Sequence, residues 1–145
     1  MSEAARFRRA CSADIPAMSA IRLAVRENVL RDPARVTLQM YEDYLDRLGR
    51  GWVAEADGEI VAFCYAARGD ASIWALFVDP RHEGRGLGKA LLALAVGWLF
   101  ELGHERIRLG TAPDTRADRF YLAQGWDRTP GTGCEVGYVL ERRKA

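Results

Sequence analysis

Cysteine is scarce in this chain, and so are the other residues that announce a metal or redox centre: 145 residues include 3 cysteines and 2 histidines. Cys11, Cys64 and Cys134 are odd in number and scattered, which fits neither a disulfide framework nor a zinc site and suits a reducing cytoplasm. None belongs to a nucleophile triad. Cys64, on an expected strand, and Cys11, beside an expected helix cap, read as small packing residues. His82 and His104 fall in a loop and after a helix, where solvated histidines are ordinary. An excess of one charge is also missing. Lys+Arg 21 against Asp+Glu 20 leaves a net charge of +1, which removes the broad positive field of a nucleic-acid binder. No apolar run is long enough to cross a bilayer, and Met1 to Arg9 lacks the apolar segment of a secretory signal. We therefore expect a cytoplasmic protein with neither a membrane nor a nucleic acid as partner.

What the chain does have is apolar content, 49% hydrophobic residues, and an ordered succession of short elements. Residues 1–145 suit a single globular domain burying roughly two-thirds of its unfolded surface. Phe7 to Ala10 reads as a first strand. Ser12 or Asp14 then caps a helix with apolar positions at Ile15, Met18, Ile21 and Val25. Asp32-Pro33 breaks the pattern, and Thr37 caps a second helix through Leu48. Gly51 to Ala56 and Glu59 to Ala67 flank Asp57-Gly58, a strong hairpin signal. Gly69-Asp70 turns into a strand from Ser72 to Val78. A helix from about Gly86 to Leu102 is apolar from Ala90 to Phe100 and should lie against the sheet, with Gly103 as its left-handed cap. Arg106 to Gly110 forms a strand, Thr115 to Ala123 a short helix, and the remainder a hairpin across Pro130 to Gly133. Hairpins first, then strands alternating with helices, predict an α/β fold with a mixed sheet and helices on both faces. Exposed strand edges at the C-terminal hairpin would permit a homodimer.

The most informative stretch is Val78-Asp79-Pro80-Arg81-His82-Glu83-Gly84-Arg85-Gly86-Leu87-Gly88-Lys89. It is a strand end, a glycine loop and a helix start. Such a junction aims several backbone N–H groups and the positive end of a helix dipole at one point where an anion can sit. Glycines 84, 86 and 88 remove side chains where a diphosphate would approach, and Arg81, Arg85 and Lys89 add positive charge. Charged hydrogen bonds of this kind contribute roughly 1.5–3 kcal/mol each, so three or four together would hold a diphosphate. A nucleotide P-loop would need a glycine where Glu83 stands and Ser or Thr where Ala90 stands. The dinucleotide fingerprint would need its last glycine at Lys89 and belongs near the first strand.

With Val78-Asp79-Pro80 leading into Glu83-Gly84-Arg85-Gly86-Leu87-Gly88, the chain resembles the GNAT-type N-acetyltransferase superfamily, whose hallmark is Arg/Gln-x-x-Gly-x-Gly/Ala. Glu83 departs from it, replacing a basic or amide residue at the loop's edge, and should be turned outward. A second stretch resembles the family's closing signature, Asn-x-x-Ala-x-x-Phe-Tyr followed by Gly-Phe: here Asp114, Ala117, Phe120-Tyr121 and Gly125-Trp126. Asp114 stands for the usual Asn and lacks its amide donor.

The resemblance implies a GNAT-like acyl-CoA N-acyltransferase fold and acetyl-CoA as co-substrate. The amides of residues 84–89 (Gly84, Arg85, Gly86, Leu87, Gly88, Lys89) would bind its diphosphate, with Glu83 counted among the cofactor-binding residues at the loop's edge. Backbone groups near Phe77 and Val78, where the strand splays from its neighbour, would bond the pantetheine amides. Asp114 and Tyr121 would complete the cofactor side. Tyr121 is the implied general acid: a phenol with an ordinary pKa near 10 donates to a departing thiolate without being ionised at neutral pH. The acceptor, a small-molecule or peptide amine, must lose a proton before it attacks. That costs about 4.6 kcal/mol at pH 7 for a lysine-like amine but only about 1–1.4 kcal/mol for an α-amino group. Glu27, at the end of the first helix in a segment that borders the acceptor site in the family, and Glu55, on a central strand, are the carboxylates weighed as base. A water chain or a backbone carbonyl is the alternative. Trp52, Trp74, Tyr41 and Tyr44 are candidates for aromatic walls of the acceptor site, although Trp74 equally suits packing between layers. A non-catalytic acyl-CoA-binding module would share the cofactor cleft.

Overall fold

Strand propensity and turn chemistry settle the N-terminal half of the sheet. In the computed structural model, which describes residues 5–24, 38–111, 116–129 and 136–142, β1 (Arg6–Arg9) pairs antiparallel with β2 (Gly49–Ala56), and β2 with β3 (Glu59–Ala67). The β2–β3 turn is the expected one: Asp57 and Gly58 both take positive φ, 54° and 78°, which matches the right-handed twist of the flanking strands. β4 (Ser72–Val78) continues the antiparallel run. After α3 (Leu87–Glu101), β5 (Arg106–Thr111) lies parallel to β4, and past α4 (Arg116–Ala123) the hairpin strands β6 (Asp127–Thr129) and β7 (Val136–Glu141) complete the order β1-β2-β3-β4-β5-β7-β6.

Helices cover both faces, as the element order predicts. On one face, Leu91, Leu92, Ala95, Trp98 and Leu99 of α3 are buried against Ala54, Ala62, Cys64, Ala66 and Ile107, with Tyr121 of α4 in the same cluster. On the other, Ile15, Met18 and Ile21 of α1 (Ile15–Ala24) and Tyr41 of α2 (Leu38–Asp43) pack on Val53, Phe63, Tyr65 and Ala75. Gly103 takes φ 102° at the end of α3, the expected left-handed cap. Among the described residues no helix is long and apolar enough to cross a membrane.

Two expectations change. The second helix stops at Asp43 instead of Leu48, because Gly49 and Arg50 are drawn into β2 opposite Ala67 and Ala66. Asp14 does not cap from in front of the helix but from inside a short 3-10 turn, Ser12–Asp14: its Oδ2 accepts the Cys11 N–H at 2.9 Å. The same carboxylate takes a two-pronged pair of bonds from Arg8, at 2.8 and 2.9 Å, which ties the start of α1 to β1. Thr37, Val25, the Asp32-Pro33 break, Cys134 and the Pro130–Gly133 turn lie outside the described residues.

Candidate active site

The sheet is opened at one place. β4 and β5 run parallel but share a single paired position, Ser72 with Arg108, backed by the Arg108 N–H to the Ala71 carbonyl at 2.9 Å. Beyond it the strands part. On its other side β4 stays paired with β3 as far as Val78 opposite Ala62. Residues 74–78 therefore keep a strand-shaped edge, with no ladder partner toward β5 among the described residues. Phe77 and Val78 sit half-buried on that edge, where the resemblance placed the pantetheine contacts. An open edge of this kind accepts an extended amide-bearing chain by backbone pairing.

The glycine loop begins where β4 ends. The Asp79 N–H still bonds the Val61 carbonyl at 2.8 Å, and the Asp79 carboxylate caps a turn at Pro80–His82 by accepting the Arg81 N–H at 2.9 Å. The Arg81 guanidinium closes on the same carboxylate at 3.0 Å, and this bond holds the Asp79 carboxyl below its usual range. Arg81 thus spends its charge on Asp79, whereas Arg85 and Lys89 are exposed beside the loop. Glu83 is exposed, as its departure from the hallmark required.

Gly84 and Gly86 both take φ +80°, a conformation that side chains with a Cβ rarely adopt, and an added Cβ at either would meet nothing within 4 Å. Gly86 caps α3 with no side-chain bond, and Ala90 is the first residue whose N–H turns back, to the Gly86 carbonyl at 3.1 Å. The N–H groups of Leu87, Gly88 and Lys89 are left at the helix's positive end. Leu87 anchors this turn in the core. A Cβ on Gly88 would lie 3.7 Å from Val78 Cγ2 and 3.8 Å from Phe120 Cζ, so the bare turn sits where α3, β4 and α4 converge. Bare amides, open space and two exposed cations are the donor set a diphosphate needs.

Tyr121 comes from the α4 side. It is 7% exposed, its ring set between Phe120, Trp126 and Tyr138 with centroids at 5.1, 5.9 and 5.4 Å. Burial, reinforced by Cys64 and Tyr138, pushes its hydroxyl well above the ordinary tyrosine range, so it stays protonated through neutral pH. Cys64 itself is wholly buried and its thiol is pushed up by the same desolvation, which makes it inert packing as expected. Cys11, by contrast, is exposed, with its sulfur 3.4 Å from Asp14.

Other candidates are dispersed. Glu55 accepts from Arg8 Nε at 2.8 Å, on a strand two places from β4. Trp52 faces the α3 side, 5.8 Å from Trp98, away from the other three aromatic candidates. Trp74, Tyr41 and Tyr44 do converge, on the opposite face. Neither histidine is simply solvated: His104 Nε2 is 2.9 Å from the Arg68 carbonyl, and His82 is half-buried with its Nδ1 out of solvent and without a partner among the described residues. Glu27 and Asp114 lie outside the described residues. A surface cleft of about 650 Å³ at the other end of β4 and β5 is lined by Arg106, Arg108 and Arg142, but also by Asp70, Glu105 and Glu141. Two of its arginines are already paired, Arg106 with Glu141 at 3.2 Å and Arg142 with Glu105 at 3.6 Å. Among the described residues no His, Cys, Asp or Glu cluster could hold a metal ion.

Known proteins share this fold. The PaiA N-acetyltransferase of Thermoplasma acidophilum, solved in complex with coenzyme A, superimposes with a TM-score of 0.84 over 96% of this chain and 99% of its own, at 13% identity. The ribosomal-protein-S18-alanine N-acetyltransferase of Escherichia coli does so with a TM-score of 0.72 over 94% and 91%, at 18% identity. In sequence, a mycothiol acetyltransferase of Sanguibacter keddieii is 40% identical over 86 residues, 52% of this chain and 27% of that protein. One of Clavibacter sepedonicus is 34% identical over 82 residues, 50% and 27%. The chain thus spans about a quarter of the length of these curated relatives. The model of the Acetyltransferase (GNAT) family matches residues 17–126, most of the chain and all of the gap, loop and Tyr121 helix, and the protein belongs to that family.

Proposed function

We propose that this chain, as a single domain of residues 1–145, is an N-acetyltransferase that moves an acetyl group from acetyl-CoA to a primary amine of a small molecule or peptide. The observation that carries the reading is the continuity between the open β4 edge at Phe77 and Val78 and the bare N-terminus of α3, with Tyr121 buried on the adjoining helix. The family match and the coenzyme A complex of a structural neighbour support it.

The amides of Leu87, Gly88 and Lys89 and the loop from Glu83 to Gly86 would hold the diphosphate, with Arg85 and Lys89 supplying charge. Phe77 and Val78 would align the pantetheine arm, and Asp114 would add a contact from the start of the closing signature. Acetyl-CoA, when bound, supplies a thioester labile to an amine. A backbone N–H on the open edge of β4 is suited to polarise its carbonyl. Tyr121 donates its hydroxyl proton to the departing sulfur and is reprotonated from solvent. Glu27 is the residue proposed to take up the amine's proton.

Tyr121→Phe keeps the ring packing and removes the proton. Turnover measured by thiol release should fall about 10²–10⁴-fold while coenzyme A affinity, measured by calorimetry, stays within a few-fold. Unchanged turnover removes Tyr121 from the mechanism. Coenzyme A binding without thiol release from any amine would make the chain a binding module.

A further inference from the structure

The face of the sheet opposite α3 holds polar groups that the fold leaves unsatisfied. Tyr65 and Ala75 are paired, and so are Ala66 and Ile73, so Trp74 is the extra residue of a bulge in β4. The bulge rephases the strand. Trp74, Ala75 and Phe77 all meet the α1–α2 side, while Ile73, Leu76 and Val78 meet α3. Trp74 stacks obliquely on Tyr65 at 4.8 Å and edge-on to Tyr44 at 5.3 Å, with Tyr41 at 6.1 Å.

Inside this aromatic box the Trp74 indole nitrogen and the Tyr41 hydroxyl are buried with no hydrogen-bond partner among the described residues, and Tyr41 is only 2% exposed. Tyr65, its neighbour, spends its hydroxyl on the Tyr41 carbonyl at 3.0 Å. Leaving two such buried groups without a hydrogen bond from the protein is unusual enough to require an explanation. An indole N–H can only donate, so whatever satisfies it must present an acceptor atom.

The local charge has the matching sign. Arg22 of α1 is half-buried, acts electrostatically on the Tyr41 hydroxyl, and has no ion-pair partner among the described residues. The acidic groups nearest the box are already engaged: Asp14 by Arg8 at 2.8 Å, and Glu42 by the Ser12 hydroxyl at 2.9 Å. A polyamine would add positive charge beside Arg22 and offer the two donors no lone pair in its charged form. Tyr44, Trp74 and Phe77 are half-buried and give the box its apolar surface.

We infer that the acceptor is a primary amine on an apolar body that also carries a carboxylate, held by Arg22, the Tyr41 hydroxyl and the Trp74 indole N–H. This assignment rests on the acetyl-transfer reading and deepens it. One carboxylate satisfies both orphaned donors and the arginine together, and the same aromatic walls exclude water from the bond.

The test uses two series of amines: 6-aminohexanoate, its amide and hexylamine; phenylalanine, its amide and phenethylamine. Each is titrated calorimetrically into the protein with coenzyme A present, and each is assayed for thiol release from acetyl-CoA. In at least one series the carboxylate member should bind at least tenfold more tightly than its amide or its decarboxylated analogue. Arg22→Met should erase that preference, Arg22→Lys should restore part of it, and Arg106→Met at the distant cleft should leave it intact. Equal binding of all three members in both series, no binding of any, or a preference that survives Arg22→Met, overturns the assignment. Tight carboxylate binding with no thiol release from any amine overturns the acetyl-transfer reading instead.

Discussion

Gly86 and Gly88 lie two residues apart at the start of α3, yet replacing each by alanine should move stability in opposite directions. Gly86 has φ +80° and ψ 9°. An alanine there costs about 1–2 kcal/mol for the left-handed conformation, and its methyl gains nothing in return, since no atom lies within 4 Å. At roughly 2–4 °C per kcal/mol for a chain of this size, the melting temperature should drop by about 2–8 °C. Gly88 is helical, and its added Cβ would stand at ordinary contact distance, 3.7 Å from Val78 and 3.8 Å from Phe120. There alanine should gain up to about 1 kcal/mol of helix propensity, about 2–4 °C. The binding effect separates from the stability effect. A methyl at Gly86 stands in the open space assigned to the diphosphate, and losing one charged hydrogen bond, roughly 1.5–3 kcal/mol, weakens coenzyme A binding by about 10–150-fold. Calorimetric melting and coenzyme A titration of both variants decide the matter. A Gly86→Ala protein that melts lower but binds coenzyme A like the parent would remove the diphosphate from this loop. One that melts no lower would refute the left-handed cap.

Further expectations concern charges whose partners are now known. Lys89→Met should weaken coenzyme A binding about 10–150-fold, while Arg81→Met, whose guanidinium is held by Asp79, should change it by less than about threefold; equal losses would refute the Asp79 clamp. Asp14→Asn should cost about 1.5–3 kcal/mol at pH 7 by urea unfolding. The Arg8 guanidinium holds the Asp14 carboxyl below its unfolded value, near 3.9. The bond therefore stabilises fully above that value and is lost as pH falls through the lower folded one. The gap between parent and variant should close on going from pH 5 to below pH 3, and a gap that holds constant would show that the charge is not the source.

Much of this was legible because local rules and global fold agree. Asp57-Gly58 can make little but a tight hairpin, and the run from Ala90 to Phe100 can only be buried, so the sheet's first half and α3 followed directly from residue type. The glycine spacing of 84, 86 and 88 likewise located the helix terminus. What stayed hidden depends on partners distant in sequence. Nothing around Arg81 tells that Asp79 will capture it, since a guanidinium beside a glycine loop suits phosphate equally well. The second helix was overrun because residues 44–48 have helical composition, and only pairing with Ala66 and Ala67 ends it early. Trp52 and Trp74 look alike in the sequence. A bulge in β4, visible in no alternation pattern, decides which of them meets Tyr41.

The lone Ser72–Arg108 pairing has a mechanical meaning. Four strands on one side and three on the other behave as two leaves of a book, bound at a single backbone stitch, with α3 laid across both as the spine. A slender guest can be admitted where the leaves already part, and no ladder need break to receive it. Amides of β5 and β7 should therefore exchange with solvent as a cooperative group separate from β2 and β3, and a bound wedge should slow the two groups to a common rate.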